Sequence, residues 1–322
     1  MDVELHRLRY FIAVAEQRHF TRAARDLGVA QPSVSKQIRL LEEELGAPLF
    51  HRRRGDLRLS PAGEAFLPWA RQVVTDLASA VDEAREIGGL RRGRISIGAT
   101  PSITTSIFPQ ALGRFHASYP GIELKLREAG SRDLVRDLDQ GSLDVALVIL
   151  PVMHRSLETV PLLREELVLA VGPGHALAER KTVALTALRD TPLVMFREGY
   201  DLRATTLAAC AAAGFEPVFA VEGGEMDGVL RLTEAGVGVA IVPSMVVPKG
   251  GPLHAVRISP PQLTRTIAFA YRRDRRVSRA TLELMTMVTS LVRSRKWLAA
   301  MPPGLEALSS QGASPPSTPG TP

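Results

Sequence analysis

The chain of 322 residues contains a single cysteine, Cys210. One thiol cannot form an internal disulfide, and it leaves no Cys-x-x-Cys pair for zinc binding or redox chemistry. The longest apolar run, Val145–Met153, is far shorter than the roughly 18–20 residues that span a bilayer. No apolar segment of the secretory type follows the charged first residues. The composition therefore predicts a soluble, cytoplasmic protein without a membrane partner.

Sequence motifs of catalysis and metal binding are missing as well. The 7 histidines show no metal-binding spacing. There is no nucleophile elbow, phosphate-binding loop or dinucleotide fingerprint, and the carboxylates are scattered. Cys210 lies in an Ala-rich helical pattern, which favours a buried structural role. We therefore expect no enzymatic activity, no metal site and no cofactor.

The formal net charge of +6 does not by itself mark a nucleic-acid surface. Residues 1–90 are neutral overall, and the positive excess lies in 91–94 and 271–297. Charge acts where it is located, so a nucleic-acid surface has to be a local patch. For the basic stretch 271–297 we expect a solvated helix face, with contact to DNA or to a neighbouring subunit as the alternative.

The first 60 residues show the pattern of a small DNA-binding domain. Apolar residues recur at helical spacing in three short segments between Glu4 and Gly46, and Thr21 is placed to cap the second. Two short extended pieces around a basic turn follow, which predicts a winged helix-turn-helix. Short side chains and cations on the outer face of the third segment suit a helix that enters the major groove. The candidate DNA-binding residues are Thr21, Gln31, Pro32, Ser33, Ser35, Lys36 and Arg39 of the helices and Arg52, Arg53 and Arg54 of the wing.

One long helix is predicted over residues 61–90. Its apolar residues step by three or four positions and form a single stripe. We expect this stripe to pair two chains; the alternative is packing on the helix's own domain. The candidate dimerisation residues are Phe66, Trp69, Val73 and Leu77.

From residue 91 to 297 strand and helix patterns alternate, which predicts an α/β domain with parallel sheets. Ligands of such domains bind at loops after the strands, and hydroxyls at a helix start suit an anion. The candidate ligand-binding residues are Thr100, Ser102, Ile103, Ser131, Phe196, Arg197 and Tyr200. The alternative role of Ser102 and Ser131 is helix capping. The alternative role of Arg197 is an ion pair with Glu198 or Asp201. Residues 298–322, rich in Pro, Gly, Ser and Thr, are predicted to be a disordered tail.

Residues 9–66, RYFIAVAEQRHFTRAARDLGVAQPSVSKQIRLLEEELGAPLFHRRRGDLRLSPAGEAF, resemble the signature of LysR-type transcriptional regulators. The resemblance implies a multidomain chain: an all-α-rich winged helix-turn-helix domain (1–60), a linker and dimerisation helix (61–90), and a two-lobed type 2 periplasmic-binding-protein-like α/β domain (91–297). Lobe I would take about 91–163 and 267–297, and lobe II about 164–266. It also implies that Ser102 and Ser131 contact an effector, and that the chain forms homodimers or homotetramers.

We therefore predict a LysR-type, DNA-binding transcription regulator. It should bind an interrupted dyad in double-stranded promoter DNA and respond to a small anionic effector, with RNA polymerase as a further candidate partner. The alternatives are a solute-binding protein of a transporter and an enzyme, both on the same two-lobed fold. The effector, the target genes, activation against repression, and dimer against tetramer are left open by the sequence.

Overall fold

The computed structural model describes residues 3–53, 56–86 and 93–308, which fall into two units. In the first, three helices pack around a core that contains the buried Phe11, Val34 and Ile38. An antiparallel hairpin follows them and pairs Phe50 with Leu59. The elements are α1 (Leu5–Gln17), α2 (Phe20–Asp26), α3 (Gln31–Leu45), β1 (Phe50–Arg53), β2 (Asp56–Leu59) and α4 (Pro61–Glu86).

The predicted winged helix-turn-helix is confirmed, but the cap of its second helix differs from the expectation. His19, not Thr21, caps α2, because the His19 ring nitrogen Nδ1 accepts the Thr21 N–H at 3.2 Å. Thr21 lies inside the first turn of α2 with an exposed side chain. It can therefore contact another molecule without giving up a capping role.

The start of α4 is fixed against the wing by a Ser-x-x-Gly junction. Buried Ser60 accepts the Gly63 N–H at 3.0 Å and donates to the carbonyl of Pro48. A Cβ at Gly63 would lie 2.1 Å from the carbonyl oxygen of Leu49, so only glycine permits this close approach. The predicted linker helix runs to Glu86, and residues 87–90 lie outside the described residues.

The second unit is an α/β structure with two large hydrophobic cores and a smaller buried cluster that contains Leu134, Leu138 and Ala146. The first core, with Ile97, Phe115 and Val288, belongs to lobe I, and the second, with Val194 and Ile241, to lobe II. The elements are β3 (Gly93–Ala99), α5 (Pro101–Ser106), α6 (Phe108–Ser118), β4 (Ile122–Glu128), α7 (Ser131–Asp139), β5 (Val145–Ile149), β6 (Leu157–Val171), β7 (Thr182–Val183), β8 (Leu193–Phe196), α8 (Asp201–Ala212), β9 (Phe219–Gly224), α9 (Met226–Glu234), β10 (Ala240–Pro243), β11 (His254–Ile258), β12 (Thr264–Arg272), α10 (Arg279–Arg293), α11 (Arg295–Ala300) and β13 (Leu305–Ala307), with 3-10 turns at Leu185–Leu188 and Ser244–Val246.

The sheets of this unit are mixed, so the prediction of parallel sheets is wrong in part. In lobe I the strand order is β4-β3-β5-β12-β6, in which β3 runs parallel to β4 and β5, and β12 runs antiparallel to β5 and β6. In lobe II β10 and β11 run antiparallel to β6, while β8 and β9 form a parallel pair. The long strand β6 carries the chain from one lobe into the other, and β12 carries it back. A return of this kind requires antiparallel pairing.

Residues 298–308 are ordered, so the predicted disordered tail is wrong for this part. Trp297 and Met301 are buried in the lobe I core, and β13 pairs with β6 at Leu163–Glu165. The few apolar residues among the prolines and glycines thus bury enough surface to order the segment. Residues 309–322, the rest of the predicted tail, lie outside the described residues.

Candidate nucleic-acid interface and ligand cleft

Helix α3 has an apolar inner face and a small polar outer face. Val34, Ile38 and Leu41 are buried in the first unit. The outer face begins with a proline in the first helical turn, where a missing N–H costs no hydrogen bond. Ser35 is half-buried and accepts the Gln31 side-chain amide at 2.7 Å. The predicted DNA-binding residues that lie exposed on this face are Gln31, Pro32, Ser33, Lys36 and Arg39.

The cations of this face are available to a partner. Lys36 and Arg39 are exposed, and within the described residues neither side chain forms an ion pair. Arg7 shows the contrasting arrangement, because it contacts Glu4, Gln37 and Glu44 and so ties α1 to α3. Arg52 and Arg53 lie on β1, but their side chains, like all of Arg54, lie outside the described residues.

Helix α4 exposes an apolar stripe. Trp69, Val73 and Leu77 are 70%, 49% and 44% exposed, and Val81, one turn further on, continues the stripe. Phe66 differs from the other predicted dimerisation residues. Its ring packs on Phe11 of the same unit, with ring centroids 5.6 Å apart, so Phe66 belongs to the core of that unit.

In lobe I the predicted hydroxyl cluster lies at the end of β3. Ser102 is buried, and its Oγ lies 3.4 Å from Thr100 Oγ1 and accepts a hydrogen bond from Arg265 at 2.7 Å. Ile103, predicted to bind the ligand, is fully buried in the lobe I core and offers no surface to one. The Ser102 hydroxyl is thus bonded to a cation that the sequence pattern did not single out.

That cation belongs to a buried ion pair at the crossover between the lobes. The Arg265 Nε on β12 donates to Glu165 Oε1 on β6 at 2.8 Å, and Glu165 is completely buried. The same carboxylate accepts the Met245 N–H at 3.2 Å and faces the Ser244 hydroxyl at 3.4 Å. One buried carboxylate therefore connects both crossover strands with the 3-10 turn of lobe II. The sequence signal for this pair was a carboxylate on β6 and a guanidinium on β12, each next to an apolar run of its strand.

Ser131 has a different role from the capping alternative. Its hydroxyl accepts the backbone N–H of Ile149 at 3.1 Å, which ties the start of α7 to the end of β5. Ser131 is 9% exposed. It therefore fixes two of the loops that border the lobe I side of the cleft.

Lobe II contributes an aromatic pair and a cation. Tyr200 stacks on Phe196 with centroids 4.8 Å apart, and the Arg197 guanidinium lies 5.9 Å from the Tyr200 ring centroid. Arg197 pairs with Glu225, and not with Glu198 or Asp201 as in the alternative considered for it. Phe196 is buried, so it supports the Tyr200 ring and presents little surface of its own.

The Tyr200 hydroxyl is a buried polar group without a hydrogen-bond partner within the described part of the chain. Tyr200 is 8% exposed. Burial raises the pKa of Tyr200 well above its ordinary value, so the hydroxyl stays neutral and can donate a hydrogen bond to an acceptor. Charges that act on it come from both lobes, including Glu128 in lobe I, Glu225 in lobe II and Arg265 at the crossover.

Cys210 is fully buried in α8, and burial raises the pKa of its thiol. Such a thiol is a poor nucleophile, in line with the structural role expected from the sequence. Among the described helices, none is both long and apolar enough to span a membrane.

These features define a DNA-binding protein that carries a two-lobed ligand-binding domain. Residues 5–64 match the family model of the bacterial regulatory helix-turn-helix proteins of the lysR family, and residues 88–293 match that of the LysR substrate binding domain. The chain belongs to the LysR family of transcriptional regulators.

Individual relatives match over both units. The transcriptional dual regulator GltC of Bacillus subtilis (strain 168) is 33% identical over 279 residues, which cover 86% of this chain and 93% of GltC. A full-length single-residue variant of OxyR from Pseudomonas aeruginosa superimposes with a TM-score of 0.70 at 27% identity, over 89% of this chain and 98% of OxyR. CbnR in complex with its target DNA superimposes with a TM-score of 0.63 at 27% identity, over 89% of this chain and 98% of CbnR. The chain is thus a DNA-binding transcriptional regulator with an effector-binding domain, not a transporter's solute-binding protein.

Proposed function

We propose that this regulator binds an interrupted dyad in promoter DNA as a homodimer or homotetramer, under control of a small anionic effector in the interlobe cleft. In this proposal it acts in the cytoplasm, has no catalytic activity, and meets RNA polymerase at the promoter. The observation that carries the effector assignment is the buried, unpartnered Tyr200 hydroxyl. The observation that carries the dyad is the exposed stripe of α4.

The outer face of α3 supports DNA recognition through the major groove. The hydroxyl and amide groups of Ser33 and Gln31 can reach base edges, while Lys36 and Arg39 can contact phosphates. Two such faces related by a two-fold axis impose two half-sites on one face of the duplex. A spacer between the half-sites then follows from the distance between the two helices.

The α4 stripe supports pairing of two chains. Burying a large apolar side chain contributes roughly 1.5–3 kcal/mol, and three such residues, Trp69, Val73 and Leu77, follow one another at helical spacing. Exposed contiguous apolar patches commonly mark interaction sites in soluble proteins. A second copy of α4 would present the same stripe and so satisfy both surfaces.

Replacing Val73 with aspartate should shift the protein to a smaller assembly in size-exclusion chromatography with light scattering. A carboxylate in an apolar seam would be buried without a partner, which costs several kcal/mol in each subunit. Val218→Asp is the matched control, because Val218 in the second unit is equally exposed, at 49%. A Val73→Asp protein with the wild-type mass would contradict pairing through this stripe.

An anionic effector is supported by the donors that surround the cleft. A buried hydroxyl without a partner costs about 1–3 kcal/mol, which an acceptor on a ligand would recover. Arg197 adds a positive charge, which Glu225 balances in this structure. Thiol oxidation is not the signal in this proposal, because an intramolecular disulfide needs a second cysteine.

Replacing Tyr200 with phenylalanine should weaken effector binding about tenfold, in keeping with the removal of one hydrogen bond of roughly 1–2 kcal/mol. A thermal-shift screen of small carboxylates identifies a binding compound, and titration calorimetry then compares the variants. DNA affinity without that compound should stay unchanged. Tyr271→Phe is the control, because Tyr271 is a buried tyrosine in the lobe I core. Equal affinity of Tyr200→Phe and wild type would remove the hydroxyl from the effector site.

A further inference from the structure

Residues 295–308 lie beyond the part of the chain that matches the substrate-binding-domain model, which ends at residue 293. We call these residues the carboxy-terminal strap. Its first half is anchored in lobe I, where Trp297 and Met301 are buried in the core. Its last residue is held there too, because the Leu308 N–H donates to the carbonyl of Leu162 at 2.9 Å.

The strap also bonds to lobe II. The Lys249 backbone N–H donates to the carbonyl of Ala300 at 2.8 Å, and the Lys249 ammonium donates to that of Ala299 at 3.1 Å. Lys249 follows the 3-10 turn of lobe II that contains Ser244 and Met245. A segment anchored in one lobe and hydrogen-bonded to the other restrains the angle between them.

Between these two anchors the strap runs along the crossover strand. β13 pairs antiparallel with β6 and places Leu305 opposite Glu165. The Gly304 carbonyl accepts the Glu166 N–H at 3.0 Å. A Cβ at Gly304 would lie 2.5 Å from Glu166 Cδ, and its φ of +99° disfavours any other residue. The strap thus packs directly on the Glu166 side chain.

Both acidic residues under the strap lead to other parts of the unit. The Glu166 carboxylate accepts Arg257 at 2.8 and 2.6 Å and Gln262 at 2.6 Å. The Glu165 carboxylate holds Arg265, which in turn donates to Ser102. A displacement of β13 would therefore shift groups that bond to the Ser102 hydroxyl and to lobe II.

We propose that the carboxy-terminal strap is a positioning element for effector control: it restrains the lobes at the crossover and thereby orients Arg265 and Ser102. An effector changes the state of a regulator only to the extent that it prefers one lobe arrangement. An element bonded to both lobes sets the energy difference between those arrangements. The inference rests on the proposed function only for the role given to Ser102.

Hydrogen exchange of the full-length Gly304→Ala protein, measured by mass spectrometry without effector, tests the strap. We expect exchange to rise about tenfold in the peptides that contain Met245 and residues 102–106, because the bonds that converge on Glu165 open locally. Peptides that cover β8 and β10, inside lobe II, should exchange as in the wild type. Circular dichroism establishes that the variant remains folded.

Two controls separate positioning from general destabilisation. Gly214→Ala replaces a glycine of similar positive φ that has nothing within 4 Å of a Cβ, and it should leave Met245 unaffected. A chain that ends at Leu308 should exchange as the wild type does. If exchange in Gly304→Ala rose only at residues 304–308, the proposal would be overturned, because β13 would then not affect the positions of Met245 and Ser102.

A milder variant covers the case in which Gly304→Ala does not fold. Lys249→Met removes one bond to lobe II and keeps the core intact, so we expect a smaller rise, about threefold, at Met245. No rise in this variant would overturn the proposal. Because the exchange is measured without effector, its outcome does not depend on the Tyr200→Phe result. The strap proposal and the effector proposal can therefore fail independently of each other.

Discussion

Replacing Lys36 and Arg39 together with alanine should lower the affinity for promoter DNA by about 100-fold or more. Both side chains are exposed on the outer face of α3. A hydrogen bond to a charged group contributes roughly 1.5–3 kcal/mol, and removing two such bonds of about 1.5 kcal/mol each gives a 100-fold effect. The salt dependence should flatten as well, because each phosphate that the protein no longer neutralises reduces the logarithmic slope by about 0.9.

Fluorescence anisotropy with a promoter fragment at several salt concentrations measures both effects. The matched control is Arg180→Ala with Lys181→Ala, which removes the same charge from an exposed loop of the second unit. This control should keep wild-type affinity and slope. A Lys36/Arg39 variant that binds as the control does would place the DNA on another face.

Local patterns were sufficient for the first unit and for much of the second. The outer face of α3 follows from the helical spacing of Val34, Ile38 and Leu41, since residues between them must point away from the core. The helical pattern over residues 131–139 and the apolar run over 145–149 coincide with α7 and β5, because each element is short, strongly patterned and flanked by turn residues. Such elements can be predicted from a few consecutive residues.

The features that the sequence pattern did not predict depend on partners far away in the chain. The sequence pattern indicates this strand only from Leu167 onward, because Glu158, Glu165 and Glu166 interrupt the apolar pattern in the preceding part of β6. The Glu165 and Glu166 carboxylates are acceptable inside the strand because Arg265 and Arg257, some 100 and 91 residues further on, pair with them. β13 is recognisable only once β6 is there to pair with it. The spacing of Phe66 fits the apolar stripe of α4, but its ring packs on Phe11 of α1 and so belongs to the core of the first unit.

The largest effect on stability is expected for Arg265→Ala. Its removal leaves the fully buried Glu165 carboxylate without a counter-charge, and breaking one side of a buried pair costs about 3–5 kcal/mol. Urea unfolding of the second unit, followed by Trp297 fluorescence in a Trp69→Phe background, measures this loss. That background isolates the signal, because Trp69 and Trp297 are the 2 tryptophans of the chain.

The double variant Arg265→Met with Glu165→Leu separates charge burial from packing. Replacing both partners by apolar residues removes the uncompensated charge, so the loss of stability should be smaller than in Arg265→Ala alone. Some loss should remain, because the Met245 N–H and the Ser244 hydroxyl lose their acceptor. Arg231→Ala is the control, since its pair with Glu234 is exposed and should contribute under about 1 kcal/mol. If Arg265→Ala lowered the free energy of unfolding no more than Arg231→Ala does, water would have to reach the Glu165 carboxylate. The crossover would then not be the rigid, water-free connection on which the positioning of Ser102 depends.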